Sequence, residues 1–128
     1  MIVIHHNPAC GTSRNVLAIL RAAGEDPVVV EYLKEGWTRP QLLALLAVAG
    51  LRPRDVLRSN VPEAAGLETA DDETLLAAMI RHPVLVNRPI VASPRGVRLC
   101  RPCEAVLPLL ERAPPDDFRK EDGKPLAR

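Results

Sequence analysis

A chain of 128 residues has the size of one domain, able to bury roughly two-thirds of its unfolded surface, so a single core is expected. Its 17 Lys+Arg against 16 Asp+Glu leave a net charge of +1, and one Tyr, one Trp and one Phe are its only aromatics, which excludes a global basic field and the stacking platforms of single-strand binders: neither nucleic acid nor membrane is expected as a partner. No apolar run approaches the roughly 18 residues of a membrane span and no basic n-region opens the chain, so a cytoplasmic protein is expected.

Ile2 to His5 is a short, partly β-branched run stopped by Asn7-Pro8, which predicts a buried strand. After Cys10 and Gly11, the residues Val16, Leu17, Ile19, Leu20 and Ala23 recur at helical spacing, with Thr12 or Ser13 as the expected cap and Gly24 as the left-handed stop. Val28 to Tyr32 is a second predicted strand, closing a βαβ unit whose crossover should be right-handed. Thr38-x-x-Gln41 has the form of a capping box ahead of Leu42, Leu43, Leu45, Leu46 and Ala49, and Gly50 ends that helix. Asp55 to Arg58 reads as a brief helical piece and residues 59 to 70 as a loop. Asp71-Asp72-Glu73 put acidic charge at the start of a helix carrying Leu75, Leu76, Met79 and Ile80, which Pro83 terminates.

Val84 to Val86 and Ile90 to Ala92 read as strands joined through Asn87-Arg88-Pro89, and the Arg88-Pro89 bond is a candidate cis peptide. Ser93-Pro94-Arg95-Gly96 is a turn, and Val97 to Cys100 the returning strand of a hairpin. Pro102 fits the first turn of a last helix with Val106, Leu109 and Leu110, in which Pro108 threatens a kink. The order βαβ, helices, ββα is the plan of an α/β, thioredoxin-like mixed sheet with helices on its faces and a helical insertion in its middle. Residues 1–112 form the expected domain. Residues 113–128 are a charged C-terminal tail with too little apolar surface to order itself alone, and flexibility is expected there.

Three cysteines, Cys10, Cys100 and Cys103, are too few and too clustered for a disulfide framework. Cys10 lies at a predicted helix N-terminus, with His6 four residues before it and Arg14 one turn along, and such surroundings stabilise a thiolate. Lowering the thiol pKa by about 2, worth about 2.7 kcal/mol between protonation states, raises the thiolate fraction at pH 7 from roughly 3% to roughly 75%. Intrinsic nucleophilicity falls about eightfold in exchange, so the net gain is only about threefold. The larger effect must come from groups that hold the electrophile. The backbone N–H groups of Gly11, Thr12, Ser13 and Arg14, the Thr12 and Ser13 hydroxyls, and the distant arginines Arg58, Arg88 and Arg101 can form a cradle whose natural occupant is a tetrahedral oxyanion. A low-molecular-weight phosphatase loop would need Arg six positions after the cysteine, where this chain has Val16.

The segments His6-Asn7-Pro8-Ala9-Cys10-Gly11-Thr12-Ser13-Arg14-Asn15, Arg58-Ser59-Asn60, His82 to Val91, Gly96 to Pro102 and Lys120-Glu121-Asp122-Gly123 together resemble the glutaredoxin-coupled bacterial arsenate reductases of the ArsC type. The resemblance implies Cys10 as nucleophile, His6 as the histidine that helps activate it, and Arg58, Arg88 and Arg101 as oxyanion ligands. It also implies arsenate as substrate, with phosphate or sulfate able to occupy the site, glutathione as co-substrate, glutaredoxin as protein partner, and no tightly bound cofactor. In that cycle the thiolate forms an arsenate adduct, glutathione adds to the arsenic, glutaredoxin resolves the mixed species and arsenite leaves.

Cys103 departs from the serine expected in close relatives and completes a Cys100-x-x-Cys103 spacing. Alternation along the strand turns Cys100 away if Arg101 faces Cys10, so the pair reads as incidental, with Cys103 as an internal resolving thiol the alternative. Free cysteines are most often buried small hydrophobes, a reading that fits Cys100 and fails for the polar-flanked Cys10. A His5/His6/Cys10 metal site lacks a fourth ligand, and no metal is expected. Two other functions remain: a redox sensor that binds a partner protein, which needs no oxyanion cradle, and a general thiol–disulfide oxidoreductase, which would place a second thiol where the chain has Ser13.

Overall fold

The computed structural model describes residues 1–128. They divide into two compact units, one formed by Met1–Glu31 with Arg88–Arg128, the other by Tyr32–Asn87.

The first unit is built on a four-stranded mixed sheet of strands β1 (Val3–His5), β2 (Val28–Val30), β3 (Ile90–Ser93) and β4 (Gly96–Leu99), in the order β2-β1-β3-β4. β1 pairs parallel with β2, from Val3 opposite Val28 to His5 opposite Val30, and antiparallel with β3, where His5 faces Ile90. β3 and β4 form the expected hairpin, with Ser93 Oγ accepting the Arg95 N–H across the turn at 3.0 Å. The long connection between parallel β1 and β2 is helix α1 (Gly11–Ala22), as parallel pairing requires. Val16, Ile19 and Leu20 on α1 are fully buried. With Ala23 they pack with Ile2, Ile4, Val91, Cys100, Cys103, Val106, Leu109 and Leu110 into the core of this unit, the offsets of 3, 4 and 7 residues from Val16 giving one apolar face. Gly24 is left-handed at φ +86°, as the stop of α1 demands.

Leu126 from the C-terminal segment completes that core, and Phe118 packs against it. Polar contacts hold the segment as well: Glu104 Oε2 accepts from Lys120 Nζ at 3.0 Å and from the Ala127 N–H at 3.1 Å. Only these two sizeable apolar side chains are needed, because the rest of the unit supplies the surface they bury against.

The second unit holds α2 (Tyr32–Glu35), α3 (Arg39–Ala49) and α4 (Asp72–Arg81). Thr38 and Gln41 make the capping box read from the sequence, and Gly50 stops α3 in the left-handed conformation at φ 69°. Asp71 caps α4 by accepting the Thr74 N–H at 2.8 Å. Leu42, Leu46, Val56, Leu75, Leu76, Met79, Leu85 and Val86 are buried, whereas Leu43 and Val48 stay largely exposed, so the apolar face of α3 is narrower than its leucine content suggests.

Several expected elements take another form. Tyr32 opens α2 instead of ending β2; its buried ring lies against Trp37 with centroids 5.4 Å apart, and its hydroxyl donates to the Val86 carbonyl at 3.2 Å. Pro83–Leu85 is a 3₁₀ turn rather than a strand, leaving only an isolated bridge between Val86 and Leu57, so Arg88-Pro89 leads into β3 and does not join two strands. The brief helical piece lies at Pro53–Val56, one turn of 3₁₀ helix also punctuates the following loop at Pro62–Ala64, and the last helix is 3₁₀ over Cys103–Leu109 with Pro108 inside.

Leu20 sits at the centre of the first unit's core, and Leu20→Ala there is expected to cost about 2–5 kcal/mol. The measurement is the denaturant midpoint of unfolding, with the slope unchanged.

Candidate active site

Cys10 is itself the N-cap of α1, with extended backbone angles. The expected cap at Thr12 or Ser13 is therefore replaced by the residue of interest, which puts its sulfur before the free N–H groups of the first turn. A tight loop holds it there. The Cys10 N–H donates to the Asn7 carbonyl at 3.0 Å, and the Asn7 side chain accepts the Ala9 N–H at 2.9 Å. Ser13 Oγ is turned back toward the strand: it accepts the Asn7 N–H at 3.1 Å and lies 2.6 Å from His6 Nδ1. His6, Asn7 and Ser13 are all buried, so these polar groups satisfy one another across the strand-to-helix junction.

Cys10 is buried. Burial raises its thiol pKa and is the largest single influence. Against it act a hydrogen bond from the Ser13 backbone N–H, the positive charge of Arg88, and both a hydrogen bond and the charge of Arg101, and together they leave the thiol below its ordinary value. Arg101 Nη1 lies 3.6 Å from Cys10 Sγ and also donates to the Arg88 carbonyl at 3.1 Å. Thus Cys10, Arg88 and Arg101, far apart in sequence, meet at one end of the sheet, where β1 ends, β3 begins and β4 ends. The peptide bonds Arg88–Pro89 and Arg101–Pro102 are both cis.

The other sequence candidates fall into different positions. Burial holds His6 below the ordinary histidine pKa, opposed by Glu31 and reinforced by Arg21 and Arg14. The neutral form of His6 is favoured, and its ring bonds Ser13 in the loop before α1. Gly11, Thr12 and Ser13 form the first turn of α1. Arg14 is engaged by Glu121, through Nε at 2.6 Å and Nη2 at 3.1 Å, and by the Pro8 carbonyl through Nη1 at 2.9 Å. Arg58 belongs to the second unit, where its Nε lies 3.4 Å from Asn60 Oδ1 and its N–H donates to the Leu85 carbonyl at 2.8 Å. The partnership of Arg14 with Glu121 was not read from the sequence, and neither was the organising role of Asn7. An Asn-Pro step before a helix start is a turn signal that could have found the second; nothing local could have found the first.

Cys100 and Cys103 contrast with Cys10. Both belong to the core of the first unit. Burial pushes Cys100 up to about 12, and burial with the neighbouring Glu104 carboxylate pushes Cys103 up to about 11. The charge of Arg98 lowers Cys100 and that of Lys120 lowers Cys103, but burial outweighs both cations. Iodoacetamide at pH 7 is expected to label Cys10 and spare Cys100 and Cys103 in the folded protein, whereas all three react in denaturant. Because the lowered pKa extends the thiolate form to lower pH, Arg101→Ala should move the midpoint of Cys10 alkylation upward; a pH–rate profile followed by mass spectrometry checks both.

Comparison with known proteins places the chain. A model of the ArsC family matches residues 5–109. The arsenate reductase ArsI2 of Synechocystis sp. is 59% identical over 128 residues, spanning 97% of this chain and 91% of that protein. The arsenate reductase of Escherichia coli K12 is 46% identical over 127 residues, spanning 96% of this chain and 90% of its own length. Among solved structures, the arsenate reductase from Vibrio cholerae superposes with a TM-score of 0.80 at 37% identity, covering 85% of this chain and 97% of that one. With a mixed sheet of the thioredoxin-like kind, a buried cysteine at the start of its first helix and this extent of identity, the chain belongs to the ArsC family.

Proposed function

We propose that this protein is an arsenate reductase that works through a covalent adduct at Cys10, with glutathione and glutaredoxin as electron donors. The observation that carries the reading is the 3.6 Å approach of Arg101 Nη1 to Cys10 Sγ at the N-terminus of α1. A helix start, a lowered thiol pKa and guanidinium charge together serve both a thiolate and the oxyanion it attacks. The names of the ArsC relatives supply the substrate: each of those described above is an arsenate reductase.

In this reading arsenate binds with its oxygens toward the N–H groups of Gly11, Thr12 and Ser13 and the guanidinium groups of Arg88 and Arg101. The Arg58-Ser59-Asn60 motif resembles that of the family, and the resemblance implies Arg58 as a further oxyanion ligand. The Cys10 thiolate attacks arsenic and water leaves, giving an S–As(V) bond. His6 supports this step by fixing the Ser13 hydroxyl, and so the first turn whose N–H faces the sulfur. Glutathione thiol then adds to the arsenic with loss of a second water. Glutaredoxin thiolate takes the glutathione sulfur, forming a mixed disulfide, and the electron pair of the broken S–As bond reduces arsenic to As(III). Water displaces arsenite and returns Cys10. Two thiols, one from each donor, thus supply the two electrons, and neither Cys100 nor Cys103 is required. Burial of both supports that economy.

Phosphate matches arsenate in shape and charge, so binding alone discriminates poorly between them. Selectivity arises in the chemical step, because arsenic accepts a thiolate and an electron pair and phosphorus does not.

Arsenate-dependent NADPH oxidation in the presence of glutathione, glutaredoxin and glutathione reductase tests the reading. Cys10→Ser is expected to abolish it, and a Cys10→Ser variant as active as the natural chain would end the proposal. Arg101→Lys keeps the charge but not the planar fork, and should lower kcat/KM about 10- to 100-fold, the value of a charge-assisted hydrogen bond of about 1.5–3 kcal/mol. Cys103→Ser should retain full activity.

A further inference from the structure

The C-terminal segment carries a carboxylate to the first turn of α1. Glu121 accepts two bonds from Arg14, at 2.6 and 3.1 Å, while its own N–H donates to Asn15 Oδ1 at 3.0 Å. The third nitrogen of the Arg14 guanidinium donates to the Pro8 carbonyl at 2.9 Å. The pair lies over the first helical residue: a Cβ added at Gly11 would stand 3.6 Å from Arg14 Nη2 and 3.7 Å from Glu121 Oε2. Arg14 also feels the charge of the Cys10 sulfur. An arginine in the first turn of a helix, beside a thiolate that receives an oxyanion, is well placed to swing onto that oxyanion. Here all three of its nitrogens are already engaged.

We propose that Glu121 is a positioning residue that acts through Arg14: it holds that guanidinium on the Pro8 carbonyl, withholds it from the oxyanion site, and thereby limits how tightly the site grips any tetrahedral anion. The inference rests on the reading of Cys10 as the centre of that site. Its physical sense follows from the likeness of phosphate and arsenate. A further guanidinium would stabilise both anions equally, lowering KM without raising kcat. The gain in affinity would then be spent on phosphate, which occupies the site unproductively. The tail carboxylate neutralises the charge that would cause this, while Arg14, clamped in place, ties the loop before Cys10 to the helix after it.

Glu121→Gln tests the carboxylate alone, since the backbone bond to Asn15 and the bond between Lys120 and Glu104 remain to keep the tail docked. The probe is inorganic phosphate: the concentration that half-protects Cys10 from iodoacetamide in the full chain, read beside KM and kcat for arsenate. In Glu121→Gln that concentration and KM are expected to fall about tenfold, the scale of one charge-assisted hydrogen bond, while kcat does not rise. In an Arg14→Gln background, Glu121→Gln should change phosphate protection less than twofold. A merely structural role would loosen the loop and move both concentrations upward. The proposal is overturned if Glu121→Gln leaves phosphate protection unchanged or weakens it, or if the same fall appears without Arg14. Failure of phosphate to protect Cys10 in the natural chain at any concentration would overturn the oxyanion-site reading itself, a result distinct from normal protection that ignores Glu121.

Discussion

One opposition governs the site: the Cys10 sulfur is buried, which disfavours its charged form, and a few donors must more than offset that loss of water. The Ser13 N–H and the guanidinium groups of Arg88 and Arg101 do so. Each acts only if its position is fixed, and most of the polar structure around the strand-to-helix junction serves to fix it. Asn7 closes the loop through its carbonyl and side chain, Ser13 Oγ reaches back to the Asn7 N–H, and His6 holds that hydroxyl. A buried polar network of this kind rigidifies because every unmade bond within it would be costly.

The sheet supplies the other half of the arrangement. β1 lies between β2 and β3, so its C-terminal end is surrounded by backbone from separate parts of the chain. The register that sets His5 opposite Ile90, and Ile90 opposite Leu99, brings the residues just before β3 and just after β4 to the loop that follows β1. Arg88 and Arg101 occupy those two positions. Alternation along β4 and beyond it sends Cys100 into the core while Arg101 reaches the thiol, so one strand end contributes to packing and to the site by successive residues.

What could be read from the residues was what short-range physics decides. The Pro8-to-Gly11 break followed by a helical period placed Cys10 at a helix start, Thr38 and Gln41 announced α3, and Ser93 to Gly96 announced the hairpin. The misreadings lie where distant packing outweighs local preference. Tyr32 has strong strand preference, yet its hydroxyl bonds a carbonyl 54 residues away and its ring pairs with Trp37. Val84 and Val86 are β-branched, but Pro83 starts a turn in which Leu85 and Val86 bond back to His82 and Pro83. The contact between Arg14 and Glu121 spans 107 positions and leaves no local trace. Arg88 and Arg101 were legible as candidate cradle arginines from their places at strand ends and from the resemblance; that one meets the sulfur and the other acts by charge is decided by the sheet.

The three cysteines show why residue type and spacing are weaker guides than environment. Cys100 and Cys103 have the spacing of a redox pair, but burial raises both, to about 12 and about 11, and the charges of Arg98 and Lys120 do not offset it. Glu104 adds a carboxylate beside Cys103, which disfavours a second negative charge there. That same carboxylate is held well below the ordinary range, at about 2: burial opposes the shift, while the Ala127 N–H and Lys120 from the tail outweigh it. The bonds that fasten the C-terminal segment therefore also keep a negative charge beside Cys103, and so help keep that thiol protonated. Directly after Lys120 in the same segment, Glu121 sets its charge against Arg14 near the third thiol. The tail thus makes carboxylate bonds near each of two cysteines, with different consequences. At Cys103 it favours a protonated, buried thiol, and at Cys10 it engages a cation near a thiolate that two other arginines already stabilise.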